Sequence, residues 1–166
     1  MSRTFSPFLL LACALLAGCG YSHVPLFPHE HRTVAVPIFE NRTAYRDVEF
    51  DLTDALVKEI ELRTPYKVVK SGEADTILAG TVTAIDQRVL SRRSTGGLPQ
   101  EMEVAVLVNF EWKNARTGES LRNRKGFSGV GRTVTASPVG EPFEIAQHQA
   151  VQQLARDMVS SLQAGW

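Results

Sequence analysis

Met102, Val104, Val106, Val108, Phe110 and Trp112 are apolar at every second position, and Glu101, Glu103, Asn109, Glu111 and Lys113 stand between them. A period of two over eleven residues is the mark of a β-strand with one face on a core and the other toward water. Such a strand needs neighbours, because isolated pairs are marginal in water. They are close by. Asn114-Ala115-Arg116-Thr117-Gly118-Glu119 reads as a hairpin loop with Gly118 in the left-handed position. Residues 120–134 return as a weaker, glycine-bearing strand, and residues 76–90 form a long β-prone run upstream. A three-stranded antiparallel unit is therefore the expected centre of the fold.

The flanks carry helices. Between residues 45 and 63, Val48, Leu52, Leu56 and Ile60 recur every four positions with Ala55 beside them, and Asp47, Glu49, Asp51 and Asp54 crowd the start. Acidic residues in a first turn complement the helix dipole, and Pro65 stops the helix. A last helix begins near Glu141-Pro142, where proline suits the first turn, with Val151, Leu154, Ala155, Met158, Val159 and Leu162 as its apolar stripe. Two more strands precede the centre. Residues 33–39 place Val34, Val36 and Ile38 on one face, and Pro37, which lacks a donor, puts this strand at an edge or ends it there. Residues 66–70 form a short strand, and Asn41-Arg42-Thr43 is a turn.

The order β-α-β-β-β-β-α predicts an α+β fold: a small mixed sheet of four to five strands packed on one face by two helices. In a chain of 166 residues with 43% hydrophobic and 22% charged side chains, about 135 ordered residues suffice for one core and not for two.

The N-terminus reads as an address. Arg3 precedes an apolar stretch from Phe8 to Ala17, too short to span a bilayer, and the run ends Leu16-Ala17-Gly18-Cys19. That ending resembles the lipobox of bacterial lipoproteins. The resemblance implies a signal peptide over residues 1–18 and Cys19 as the acylated N-terminus of the mature chain. Several acyl chains anchor firmly where one does so marginally. Gly20 stands where an aspartate in such proteins marks retention in the inner membrane, so the outer membrane is the expected destination. Residues 19–32, with two prolines and three histidines, read as a lipidated tether, and residues 33–166 as the domain.

Chemistry is sparse. His29-Glu30-His31 lacks a third ligand at metal-binding spacing, His148 lies on the last helix among glutamines, and no serine or glycine run matches a nucleophile elbow or phosphate loop. Cys13 leaves with the signal, so no disulfide is available, and no enzyme, cofactor or metal is expected. With 18 basic and 18 acidic side chains, nucleic acid is not an expected partner. The distribution of charge is more informative: residues 20–87 hold 7 basic and 11 acidic groups, whereas residues 88–132 hold 9 and 4. Arg88, Arg92 and Arg93 sit at one strand end, and Arg116, Arg122, Arg124, Lys125 and Arg132 flank the next hairpin. One reading is charge that protects strand edges. The other is an anion site, since arginine binds phosphates and carboxylates in a bidentate fork, with Leu90 and Leu98 beside it to touch acyl chains.

The mature chain as a whole resembles the LptE family of lipopolysaccharide-assembly lipoproteins. The likeness runs through Gly18-Cys19-Gly20-Tyr21, Val34-Ala35-Val36-Pro37-Ile38-Phe39-Glu40-Asn41, Ala74-Asp75-Thr76-Ile77-Leu78-Ala79-Gly80, the amphipathic strand and the closing helix. It implies a plug inside the outer-membrane β-barrel LptD, the pair receiving lipopolysaccharide and delivering it to the outer leaflet. The expected location is thus the cell outer membrane, lipid-anchored, on the periplasmic side and in the barrel lumen. In that family lipopolysaccharide binding is ascribed to basic residues near a strand-end loop. Arg92 and Arg93 occupy the matching place, and Arg132 is the nearest candidate for a second basic position before the last helix. The alternative is a periplasm-facing lipoprotein adaptor that activates a peptidoglycan synthase or assembles a secretion channel.

Overall fold

The structure, a computed structural model, describes residue 27 and residues 30–92, 99–134 and 142–163. Its elements are β1 (Thr33–Ala35), β2 (Glu40–Asn41), α1 (Val48–Arg63), β3 (Lys67–Val68), β4 (Thr76–Arg92), β5 (Pro99–Asn114), β6 (Ser120–Val134) and α2 (Pro142–Ser161). They form the expected mixed sheet with two helices. The strand order is β3-β1-β4-β5-β6, with β2 also paired to β4. β1 runs parallel to both β3 and β4, while β4, β5 and β6 form the antiparallel unit.

The centre follows the alternation in β5. Val104, Val106, Val108, Phe110 and Trp112 are all buried, whereas the residues between them stay partly exposed. Both helices cover that buried face: Leu52, Leu56 and Ile60 of α1 and Leu154 and Met158 of α2 join Leu78, Val82, Val106 and Val108 in one cluster. Each such side chain contributes about 1.5–3 kcal/mol by leaving water. Among the described residues no element packs on the other face, which carries Glu103, Ala105, Leu107, Asn109, Glu111 and Lys113 from β5.

The first strand departs from its expected form. β1 ends at Ala35, and the chain rejoins β4 further along as β2, so the sheet gains a sixth strand. The alternation slips with it: Val34 is buried as expected, but Ile38 is 60% exposed and Phe39 enters the core instead. Pro37 is the cause, since it can offer no donor to either neighbour of an interior strand. α1 begins at Val48, after Asp47 in a left-handed conformation (φ 68°), and the Asp47 carbonyl accepts the Asp51 N–H. The preceding turn is held by Asn41: its Oδ1 accepts from the Thr43 N–H and hydroxyl at 2.8 Å each, and its Nδ2 donates to Tyr45 O and Glu49 Oε2.

α2 starts at Pro142 and buries its whole anticipated stripe. It has no basic residue in its last turn, and Arg122 of β6 supplies one from the sheet by donating Nη2 to the Gln163 carbonyl. Gly129 and Gly131 let the helix lie directly on β6. A Cβ on Gly131 would stand 2.6 Å from the Ala150 nitrogen and 2.9 Å from the Ala146 carbonyl carbon, nearer still to its oxygen.

Candidate functional site

The basic strand end is set by register. On the open face Arg88 of β4 pairs with Glu103 of β5, which pairs in turn with Arg132 of β6. Strands lie about 4.8 Å apart, so the two guanidinium-bearing positions flank one carboxylate across roughly 10 Å. Arg132 Nε donates to Glu103 Oε2 at 2.8 Å; the arginine is 71% exposed and the glutamate 16%. The pair is worth little in stability, about 0.2–1 kcal/mol, but it leaves one cation more than it neutralises in the row. Ser91 and Glu101 form the next pair toward the strand end, and Arg92 closes β4 opposite Pro99. Thus the structure brings Arg132 and Arg88 into one row and sets Arg92 at the end of the strand that carries Arg88. Arg93, Leu98 and Cys19 lie outside the described residues.

The other arginines disperse. Arg116 is at the opposite end of the sheet, Arg122 turns to α2, and Arg124 and Lys125 are exposed on β6 beside Gly126, whose N–H donates to Asn109 Oδ1 at 2.8 Å. On the open face a cavity of about 340 Å³ is lined by Thr81, Asn109, Glu111, Lys113 and Lys125. Among the described residues no group of three His, Cys, Asp or Glu side chains could hold a metal, and His148 is exposed. No helix of the described residues is long and apolar enough to cross a membrane.

A second constellation was not singled out from the sequence as a site. The Asp75 carboxylate Oδ2 accepts from the Arg32 N–H (3.0 Å), the Thr33 N–H (3.1 Å) and the Thr33 hydroxyl (3.0 Å), and Oδ1 accepts from Arg116 Nη2 (3.4 Å). The Asp75 N–H donates back to Thr33 Oγ1, and the Ala115 N–H donates to the Asp75 carbonyl. The donors from Arg32 and Thr33, with Arg116, hold the carboxyl down to about 2. Beside it, Phe27 is buried edge-on to Tyr66 (centroids 5.6 Å), Tyr66 meets Trp112 (5.9 Å), and His31 lies edge-on to Trp112 (6.5 Å). Burial pushes the Tyr66 phenol up to about 12. Two residues assigned to the tether by sequence, Phe27 and His31, are therefore packed on the sheet. The one available signal was Asp75 itself, directly before a long strand and opposite the start of β1.

A mixed sheet with two helices on one face and a charged open face defines a small two-layer α+β domain. It is similar in fold to the PelC dodecamer subunit of Paraburkholderia phytofirmans (TM-score 0.56, 19% identity, covering 84% of this chain and 95% of that one). It is also similar to the hypothetical protein CT253 of Chlamydia trachomatis (TM-score 0.54, 8% identity, 80% and 95% covered). No curated protein matches significantly by sequence. The family model for LptE, described as lipopolysaccharide-assembly, matches residues 32–162. The chain belongs to the LptE family.

Proposed function

We propose that the protein is a non-enzymatic outer-membrane lipoprotein, acylated at Cys19, that plugs and stabilises the LptD β-barrel and takes part in delivering lipopolysaccharide to the outer leaflet. The observation that carries this reading is the LptE match across residues 32–162, which takes in every element of the fold. Physical features support it. A barrel lumen is polar and water-filled, so a plug needs a charge-studded exterior and no lipid-facing belt. The open sheet face, with Glu103, Asn109, Glu111 and Lys113, is of that kind. The row Arg88–Glu103–Arg132 and the adjacent Arg92 and Arg93 offer cations for the phosphates of lipopolysaccharide.

Affinity purification of the acylated protein from detergent-solubilised outer membrane, followed by mass spectrometry, tests the partner. A stoichiometric large β-barrel is expected; a peptidoglycan synthase or a ring of identical copies without a barrel would favour the adaptor reading. Reversing Arg92 and Arg93 to glutamate should weaken lipopolysaccharide binding while the barrel complex still forms. Binding that is unchanged in the double variant would remove those two residues from the site.

A further inference from the structure

We infer that the outer edge of β6 is a strand-addition site that takes an extended, acidic segment of a partner polypeptide. The cations it uses, Arg124 and Lys125, are not those of the Arg88–Arg132 row.

The backbone comes first. β6 closes the sheet on the side away from β1, and among the described residues β5 is its one strand neighbour. A single hydrogen bond fixes which of its groups point outward. The Arg132 N–H donates to Gln149 Oε1 of α2 at 3.3 Å, so it is turned away from β5, and Arg132 and Glu103 form a non-hydrogen-bonded pair of the antiparallel ladder. By the alternation of such a ladder, the N–H and C=O groups of Val130 and Ser128 also point outward, whereas those of Gly131 and Gly129 bond to β5. Among the described residues the Ser128 and Val130 N–H groups have no partner, and both residues are exposed. The open stretch ends at Gly126, which is left-handed (φ 63°) at the register shift and gives its N–H to Asn109 Oδ1. Main-chain groups presented in this way accept an added strand without regard to its side chains.

Charge selects the occupant. An edge is blunted by charge on its open residues, yet Gly126 to Gly131 carries none, and the cations stand on either side of it. β6 holds Arg122, Arg124, Lys125 and Arg132 and no acidic residue. Arg122 is engaged with the Gln163 carbonyl and Arg132 with Glu103. Arg124 and Lys125 are exposed and form no ion pair among the described residues. They straddle the edge: Arg124 stands opposite the buried Phe110, on the helix side, while Lys125 lines the cavity of the open face. Successive side chains of an added strand also alternate between the two faces, so two consecutive carboxylates in it would each meet one cation. Apolar residues further along would lie beside Val130 and Val134, which are 40% and 59% exposed. A second copy of this chain fits poorly, because pairing β6 with β6 sets cations against cations.

The experiment uses the mature full chain in detergent and short synthetic peptides of alternating threonine and valine with two adjacent glutamates near one end. Matched peptides carry lysines in place of the glutamates, or N-methyl groups on every second amide in either register. Binding is read by fluorescence anisotropy, and amide hydrogen exchange by NMR. The glutamate peptide should bind and slow exchange at Ser128 and Val130 by on the order of tenfold. N-methylation should abolish binding in one register only, since one edge of the peptide does the pairing. The lysine peptide should bind about fivefold or more weakly, and Arg124→Glu with Lys125→Glu should invert that preference. Val130→Pro removes an N–H that points away from β5, so it should leave the fold intact by circular dichroism and prevent binding. Exchange in the parent chain decides the matter even where that variant does not fold. Equal binding of the two peptides, exchange unchanged at Ser128 and Val130, or no binding at all would overturn the site. So would protection of these amides in a dimer of the chain that no peptide displaces.

Discussion

Replacing Gly131 by alanine adds one methyl group, and the structure fixes where it must go. The Cβ would point into α2, 2.6 Å from the Ala150 nitrogen, with the Ala146 carbonyl carbon at 2.9 Å and its oxygen closer. Ordinary contacts begin near 3.4 Å, and all three atoms are backbone, so no side chain can rotate aside. Helix and strand must part by about 1 Å at that point. The helix cannot do so alone, because the same turn seats Ala146 against Met102 and Val104, with Ile85 and Phe143 packed around them. Overpacking of this kind costs about 1–3 kcal/mol. The loss of glycine's freedom in the unfolded chain offsets about 0.4–1 kcal/mol. A net destabilisation of about 1–2 kcal/mol corresponds to a fall in Tm of roughly 3–8 °C for a domain of this size. Thermal unfolding followed by circular dichroism reads it directly. Gly72→Ala is the matched control, since nothing lies within 4 Å of its would-be Cβ, and it should be neutral or slightly stabilising. If the two variants melt together, the close seating of α2 on β6 is wrong.

Three other outcomes follow from the same geometry. Because the Asp75 carboxyl is lowered to about 2 in the fold, its contribution to stability is complete above the ordinary carboxylate range near 4 and is lost as pH falls through 2; Asp75→Asn should be less stable at pH 7 and show a shallower acid limb in urea titrations from pH 5 to 2. Glu103→Gln removes the counter-charge of Arg132, and on the proposed function it should tighten binding of lipopolysaccharide by roughly two- to fivefold, measured on immobilised protein at fixed salt. Arg122→Ala takes the only described cation from the C-terminal end of α2 and should cost about 1–2 kcal/mol in urea unfolding, more than Arg124→Ala on the exposed edge.

What the sequence disclosed was periodicity, and where periodicity ran unbroken the structure agrees. The β5 alternation, the four-residue repeat of α1 and the stripe of α2 all face the core as their spacing required. The failures fall where one backbone event resets the phase. Pro37 divides the first strand and exchanges Ile38 for Phe39. In β4, for which the sequence offered no face, a register shift between Val82 and Ala84 also resets the alternation, so that Ile85 follows Val82 on the inner side. Neither shift alters composition, and no local pattern reveals which residue becomes the extra one. The glycines of β6 illustrate the same limit: in the sequence they read as a weakness, whereas in the fold Gly129 and Gly131 are the ground on which α2 lies.

The candidate site was legible in kind and not in arrangement. Of the nine basic residues between 88 and 132, those among the described residues are spread by the strands along the height of the sheet, and only register shows that Arg88 and Arg132 share Glu103. The same register places Asp75 and Arg116 at the far end, where the Asp75 carboxylate holds the chain entering β1. A clamp at one pole and surplus cations at the other give the domain a direction. The long β4–β5–β6 unit carries the Arg88–Arg132 row tens of ångströms away from Asp75 and Arg116. A sheet that ended at Val82, where β2 ends, would lose Met102, Val104 and Ala146 from the core together with the β6 glycines on which α2 lies, so the upper half of the strands builds the core and carries Arg88 and Arg132 at once.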